Sequence, residues 1–212
     1  MNLKQKTMRK FEIGELIAAF DAKDYKTYSG AYNVNLFGIR NSEQTAGKFD
    51  DAVGIFYQDA SGNWIVKQYD ATTDPGLYWL QNPMRKNGTI IMVPGQYGGA
   101  YKLGVHKGYR ALEQKKPMKY VRDNDKDDYL DFTLLDNPEN YEESIAKTNI
   151  HRTNDHKMKS GLNNKWSAGC QVLADANDFD DLLEICEISS NRYGNSFTYT
   201  LLNIADVEQM PA

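Results

Sequence analysis

Short apolar runs closed by glycine, proline, asparagine or aspartate recur along most of this chain, and that rhythm limits it to a fold built mainly from strands. Residues 34–39 form one such run. Residues 52–57 and 64–69 flank Asp59-Ala60-Ser61-Gly62-Asn63, whose turn chemistry predicts a β-hairpin. Asp74-Pro75-Gly76 marks another turn, and residues 89–93 form an apolar strand closed by Pro94-Gly95. Residues 95–110 are rich in glycine and tyrosine and read as a loop, an irregular strand or a β-meander that can wall a cleft. Residues 118–122, the run ending at His151, residues 171–173 and residues 196–202 complete the series. Helical spacing occurs twice. Met8, Phe11, Leu16, Ile17 and Phe20 predict a helix over 8–24. Asp175 or Asn177 can cap a second helix through Phe179, Leu182, Leu183, Ile185, Cys186 and Ile188. The expectation is a mostly β fold with short α-helices. With 212 residues and no visible linker or repeat, residues 1–212 read as a single domain, with 1–29 as an N-terminal helical segment.

Charge and cysteine usage exclude several function classes. A net charge of −4 argues against a general nucleic-acid or anionic-membrane binder. No run approaches the roughly 18 apolar residues of a membrane span. The basic N-terminus is interrupted by Glu12 and Glu15, so no signal peptide is expected and the route to any extracellular substrate is left open. Cys170 and Cys186 are the only cysteines and read as free thiols. With three histidines they cannot build a Cys₄ or Cys₂His₂ zinc site at a recognised spacing, and no metal or cofactor is expected. Asp123, Asp125 and Asp127 alternate like the start of an EF-hand loop, but Asp128 stands at the sixth position and Leu134 at the twelfth. A solvated acidic turn is the expectation there, with a weak Ca²⁺ site as the alternative.

The chemistry concentrates on Cys170. It follows Trp166-Ser167-Ala168-Gly169, a small-residue turn that leaves the sulfur accessible. A thiolate is the reactive form of cysteine, and a nearby imidazole is the usual device for generating it. His151 closes the run Thr148-Asn149-Ile150 upstream, and two antiparallel strands joined by the intervening polar loop would bring it to Cys170. Backbone amides at Gly169 and Cys170 are candidate oxyanion donors, and Ser167 a brace for the turn. Trp166 and Tyr97 are candidate cleft walls. His106 is a candidate to line the cleft rather than to act as base, and His156 reads as an exposed loop residue. Cys186, on an apolar helical face, reads as core.

No histidine follows Cys170, which disfavours thiol peptidases that place the histidine after the cysteine, and no Gly-x-Ser-x-Gly supports a serine hydrolase. The order and local pattern of Ile150-His151-Arg152-Thr153 and Ser167-Ala168-Gly169-Cys170 resemble the L,D-transpeptidase (YkuD-like) catalytic domain, over residues 147–203. The resemblance implies a β-sandwich or barrel-like catalytic fold, Cys170 as nucleophile, His151 as base, and acyl transfer on peptidoglycan stem peptides in the cell wall or periplasm. It places Arg152 beside the base as a substrate-binding candidate. Ala168 stands where the family carries a histidine, and Arg152 where it carries glycine. Transpeptidation and hydrolysis as an L,D-carboxypeptidase or endopeptidase therefore both remain open. A phage-borne enzyme fits the same residues, as does a non-catalytic wall-binding or phage structural module.

Overall fold

A computed structural model of the chain describes residues 7–153 and 162–209. The first helix, α1 (Ile13–Ala22), starts later than the apolar spacing predicts because Glu12 and Glu15 form a capping box there. Met8 and Phe11 precede the helix yet are buried in the same cluster as Leu16 and Phe20, which explains why they mimic its periodicity.

The strands follow in order: β1 (Asn35–Arg40), β2 (Asp51–Gln58) and β3 (Trp64–Thr72), then the short helix α2 (Leu77–Gln81). Next come β4 (Thr89–Met92), β5 (Gly95–His106), β6 (Tyr109–Gln114), β7 (Met118–Asp123), β8 (Glu142–Ser144) and β9 (Ile150–Arg152). The chain continues through β10 (Gln171–Leu173), α3 (Ala176–Tyr193), β11 (Phe197–Asn203) and α4 (Ile204–Glu208). The hairpin forms as predicted: β2 and β3 pair antiparallel from Asp51–Ala71 to Gln58–Trp64. The glycine- and tyrosine-rich segment is not a loop. It is the long strand β5, paired with β6 from Tyr101–Gln114 to His106–Tyr109 across a Lys107-Gly108 turn. After the acidic turn, Phe132–Asp136 forms a 3₁₀ turn. Asp175 caps α3 by accepting from the Asn177 amide.

Among the described residues, eight strands close into a barrel in the order β1-β11-β5-β6-β9-β10-β3-β2, and β4-β7-β8 form a separate sheet. Two barrel pairs, β1–β11 and β9–β10, are parallel. The architecture is thus mostly β with short helices. Alternation sorts the side chains: Leu36, Val53, Ile55, Ile150 and Leu201 enter the largest core cluster. Phe37, Ala52, Phe56 and Leu202 enter the one covered by α1. Phe179, Leu182, Leu183 and Cys186 of α3 pack into the first cluster, so Cys186 is a core residue. Ile91 and Val121 of the small sheet pack with Leu80 and Leu130 in a third cluster. No helix among the described residues is long and apolar enough to cross a membrane.

Candidate functional site

The strand ending at His151 and the strand after Cys170 pair parallel, not antiparallel as the sequence predicts. Each is only three residues long, too short for alternation to reveal its direction. The register sets His151 opposite Val172, and the Gln171 amide donates to the Asn149 carbonyl at 3.0 Å. Alternation then turns Ile150 and Leu173 into the main core and leaves Asn149, His151, Cys170 and Val172 on the opposite face. The segment before His151 is anchored from the barrel. The Tyr101 hydroxyl donates to the Thr148 carbonyl at 2.7 Å, and the Thr148 amide donates to Gln114 Oε1 at 3.0 Å.

The turn before Cys170 is held with comparable firmness. Ser167 Oγ donates to the Cys170 carbonyl at 2.7 Å and accepts from the Gly169 amide at 3.1 Å. Gly169 has φ +115, and a Cβ there would stand 2.7 Å from Ile90 Cβ, so glycine is required on both counts. Upstream, the Gly76 amide donates to the Ser167 carbonyl at 2.8 Å, and buried Asn163 donates to Thr72 Oγ1 and the Asp74 carbonyl. The DPG turn therefore clamps the loop that presents the cysteine.

These elements surround a cleft of about 280 Å³ between the barrel and the small sheet. Cys170, His151, His106, Trp166 and Ala168 line it, joined by Trp79 and Ile90. Tyr97 does not. It packs on the main core, and its hydroxyl donates to the Val93 carbonyl at 2.5 Å, so it is a fold residue rather than a cleft wall. The Arg152 side chain is also not part of the lining; its guanidinium lies 4.5 Å from the Tyr109 ring centroid. The Arg152 backbone does serve the site, because its carbonyl lies 2.9 Å from His151 Nδ1. His156 lies outside the described residues.

The hydrogen bonds assign both imidazole tautomers. A carbonyl only accepts, so the Arg152 carbonyl makes His151 Nδ1 a donor and leaves Nε2 as the basic nitrogen. Nε2 is buried and has no hydrogen-bond partner among the described residues. His106 stacks on His151 with ring centroids 4.3 Å apart and planes 10° from parallel. Its tautomer is the opposite one. The Gln114 amide donates to Asn149 Oδ1, which orients that side-chain amide so that Nδ2 donates to His106 Nδ1 at 3.1 Å. His106 Nε2 therefore carries the proton. One ring offers a base and its neighbour an N–H donor.

The electrostatics depart from the sequence expectation of a thiolate. Burial lowers the His151 pKa to about 3, against a smaller opposing effect of the bond to Arg152. Without an imidazolium beside it, the Cys170 thiol is pushed up to about 11 by the surrounding protein, although the Asn149 backbone and the Lys107 charge oppose this. The thiol instead lies 3.6 Å from the Lys147 carbonyl, to which it donates. The resting pair is a neutral thiol and a neutral imidazole. Of the two expected oxyanion donors, the Gly169 amide is taken by Ser167, while the Cys170 amide meets no acceptor among the described residues.

The acidic turn also differs from expectation. Asp123 is buried, and its Oδ2 accepts from the Asp131 amide at 3.0 Å. Asp125 and Asp131 each bring a carboxylate oxygen into a group with Asp123 spanning no more than 4.8 Å, whereas Asp127 accepts from the Tyr129 amide.

Sequence reasoning missed Lys107, Lys147 and Trp79, which line the cleft. Their positions depend on long-range pairing that no local pattern encodes. Asn149 was within reach, since alternation along the strand puts it on the His151 side. Fold and site together define a mixed β-barrel with a thiol–imidazole cleft. No family model, curated protein or solved structure matches the chain.

Proposed function

We propose that the protein is a cysteine acyltransferase or peptidase acting through a Cys170 thioester, with peptidoglycan stem peptides as the substrate class the resemblance implies. One observation carries the reading: the Cys170 thiol lines the same cleft as His151, whose unprotonated Nε2 has no hydrogen-bond partner among the described residues.

The chemistry follows from the neutral pair. As Cys170 Sγ forms its bond to a peptide carbonyl carbon, the thiol proton passes to His151 Nε2. The carbonyl oxygen gains the negative charge, and the Cys170 amide and His106 Nε2–H are the donors available to it. Collapse breaks the C–N bond, and His151 returns its proton to the leaving amine. An amine or water then gives a proton to His151 and attacks the thioester, and Cys170 leaves as the thiol. In the family pattern a histidine stands where this chain has Ala168; His106, arriving from β5, supplies an imidazole donor from elsewhere in the fold. Transpeptidase and hydrolase differ only in the acceptor.

A second reading has an observation behind it. A thiol raised to about 11 and already bonded to the Lys147 carbonyl also suits a wall-binding or phage structural module whose cysteine is inert. Digestion of purified peptidoglycan by wild type and Cys170→Ala, read by mass spectrometry, separates the two. New cross-links identify a transpeptidase, shortened stems a carboxypeptidase and lost cross-links an endopeptidase. Identical product profiles from both proteins would remove the enzyme reading.

A further inference from the structure

The turn after β7 gathers carboxylates without a counter-charge. Asp123, Asp125 and Asp131 each bring one carboxylate oxygen into a group spanning no more than 4.8 Å. None of the three forms an ion pair among the described residues. Acidic clusters are common on protein surfaces, but one member of this cluster is not on the surface. Asp123 is 1% exposed. Its Oδ2 accepts from the Asp131 amide at 3.0 Å, while its Oδ1 is buried and meets no donor among the described residues. A buried carboxylate oxygen left without a partner is costly. A water would supply a hydrogen bond there, yet leave three like charges crowded together. A cation answers both needs.

The turn is held in place from outside the cluster. The Ala46 amide donates to the Asp128 carbonyl at 3.2 Å, and the Leu130 amide to the Gln44 carbonyl at 2.8 Å. Gln81 Nε2 of α2 donates to Asp128 Oδ1 at 2.6 Å. Asp125 is exposed and Asp131 half-buried, so the group opens to solvent on one side. Asp125 Oδ1 accepts from the Asp127 amide at 3.1 Å, which leaves its Oδ2 for a ligand. Charged oxygen donors suit a hard cation. An ion at about 2.4 Å from each oxygen, a calcium distance, bridges a pair up to about 4.8 Å apart, which covers this group. Calcium accepts the irregular geometry of a turn, whereas magnesium demands a near-ideal octahedron.

We propose that Asp123, Asp125 and Asp131 bind one Ca²⁺, with water completing its shell. The third ligand is Asp131, not the Asp127 of an EF-hand spacing. The ion lies behind one wall of the cleft. Asp123 of β7 pairs with Thr89 of β4, and Gly88, Thr89 and Ile90 line the cleft. Calcium therefore stiffens that wall, whether or not Cys170 is a nucleophile.

The test uses the full chain, stripped with EDTA, dialysed, titrated with CaCl₂ by isothermal calorimetry and melted with and without calcium. Wild type binds about one Ca²⁺ per chain with a Kd of about 10⁻⁴ M, the range of weak calcium modules. Its Tm rises by about 5–10 °C at a hundredfold excess over Kd. Asp125→Asn, an exposed substitution, and Asp131→Asn, which keeps its backbone amide on Asp123, each weaken binding by about tenfold or more, since affinity follows ligand charge. Asp127→Asn binds as wild type does, and MgCl₂ binds more weakly than CaCl₂. Circular dichroism confirms that each variant folds. Absence of saturable heat and of any Tm shift at about 10 mM calcium, well above the Kd of weak modules, overturns the proposal. Binding that survives both Asp125→Asn and Asp131→Asn, or that is lost in Asp127→Asn and kept in Asp131→Asn, overturns it too, as does tighter binding of magnesium than of calcium.

Discussion

The informative contrast at the residue scale is between Cys170 and Cys186. Both thiols are raised by burial, but only Cys170 opens on a cleft beside a free imidazole nitrogen. The small-residue turn and the upstream histidine made Cys170 and His151 legible in the sequence. Their protonation was not legible, because it depends on how much protein surrounds each ring and sulfur. With the thiol at about 11, iodoacetamide modifies Cys170 slowly at neutral pH, and the rate climbs steadily toward pH 11. Peptide mapping across pH checks this; a rate already at its plateau by pH 8 would reveal a thiolate the structure does not support. His106 is the residue whose role the sequence understated. His106→Ala should lower kcat by about 10²-fold, the usual cost of one oxyanion donor, with KM little changed. Steady-state kinetics on the wild-type substrate decide this, and a change confined to KM would make His106 a binding residue only.

The element scale shows where pattern reading succeeds and where it stops. The β2–β3 hairpin and α3 were legible because a turn cluster and an N-cap mark their ends. The direction of β9 and β10 was not, because parallel pairing there is set by the whole barrel. The acidic turn after β7 illustrates the same limit: alternation of aspartates says nothing about burial. Burial first, and then the neighbouring aspartates, raise the Asp123 pKa to about 6, while the Asp131 amide opposes the shift. An unfolded aspartate titrates near 3.9. The folded protein therefore holds this proton more tightly, and the stability it contributes is present below about pH 4 and lost as pH rises through about 6. Asp123→Asn keeps the acceptor for the Asp131 amide and removes the buried charge. Its Tm exceeds that of wild type at pH 7, and the gap closes by pH 4. Thermal melts at the two pH values test this; a gap that widens on acidification would reverse the sign.

Across the whole molecule, a buried arginine ties the barrel to the small sheet and to the clamp on the cleft. Arg40 of β1 lies 2.8 Å from Asp74 Oδ1 through Nε, and its NH1 donates to the Met92 carbonyl at 2.8 Å. Asp74 belongs to the DPG turn whose Gly76 amide holds Ser167. Removing one partner of such a pair leaves the other buried and uncompensated. Arg40→Met is expected to cost about 3–5 kcal/mol and to slow catalysis through a loosened cysteine turn, measured by denaturant unfolding beside kinetics. A loss under 1 kcal/mol would show that the pair is dispensable. The mostly β class was legible from strand rhythm, since short apolar runs with few helices leave few alternatives, but closure into a barrel was not. The closing order was not, because β1 joins β11 from the far end of the chain.

The central claim, that Cys170 carries an acyl group taken from a peptide, is tested most directly by intact-mass spectrometry after incubation with muropeptides. The wild-type protein is expected to gain the mass of the acyl fragment on the peptide containing Cys170, and Cys170→Ala to gain none. An unmodified wild type with untouched muropeptides, or an adduct that persists in Cys170→Ala, would contradict it.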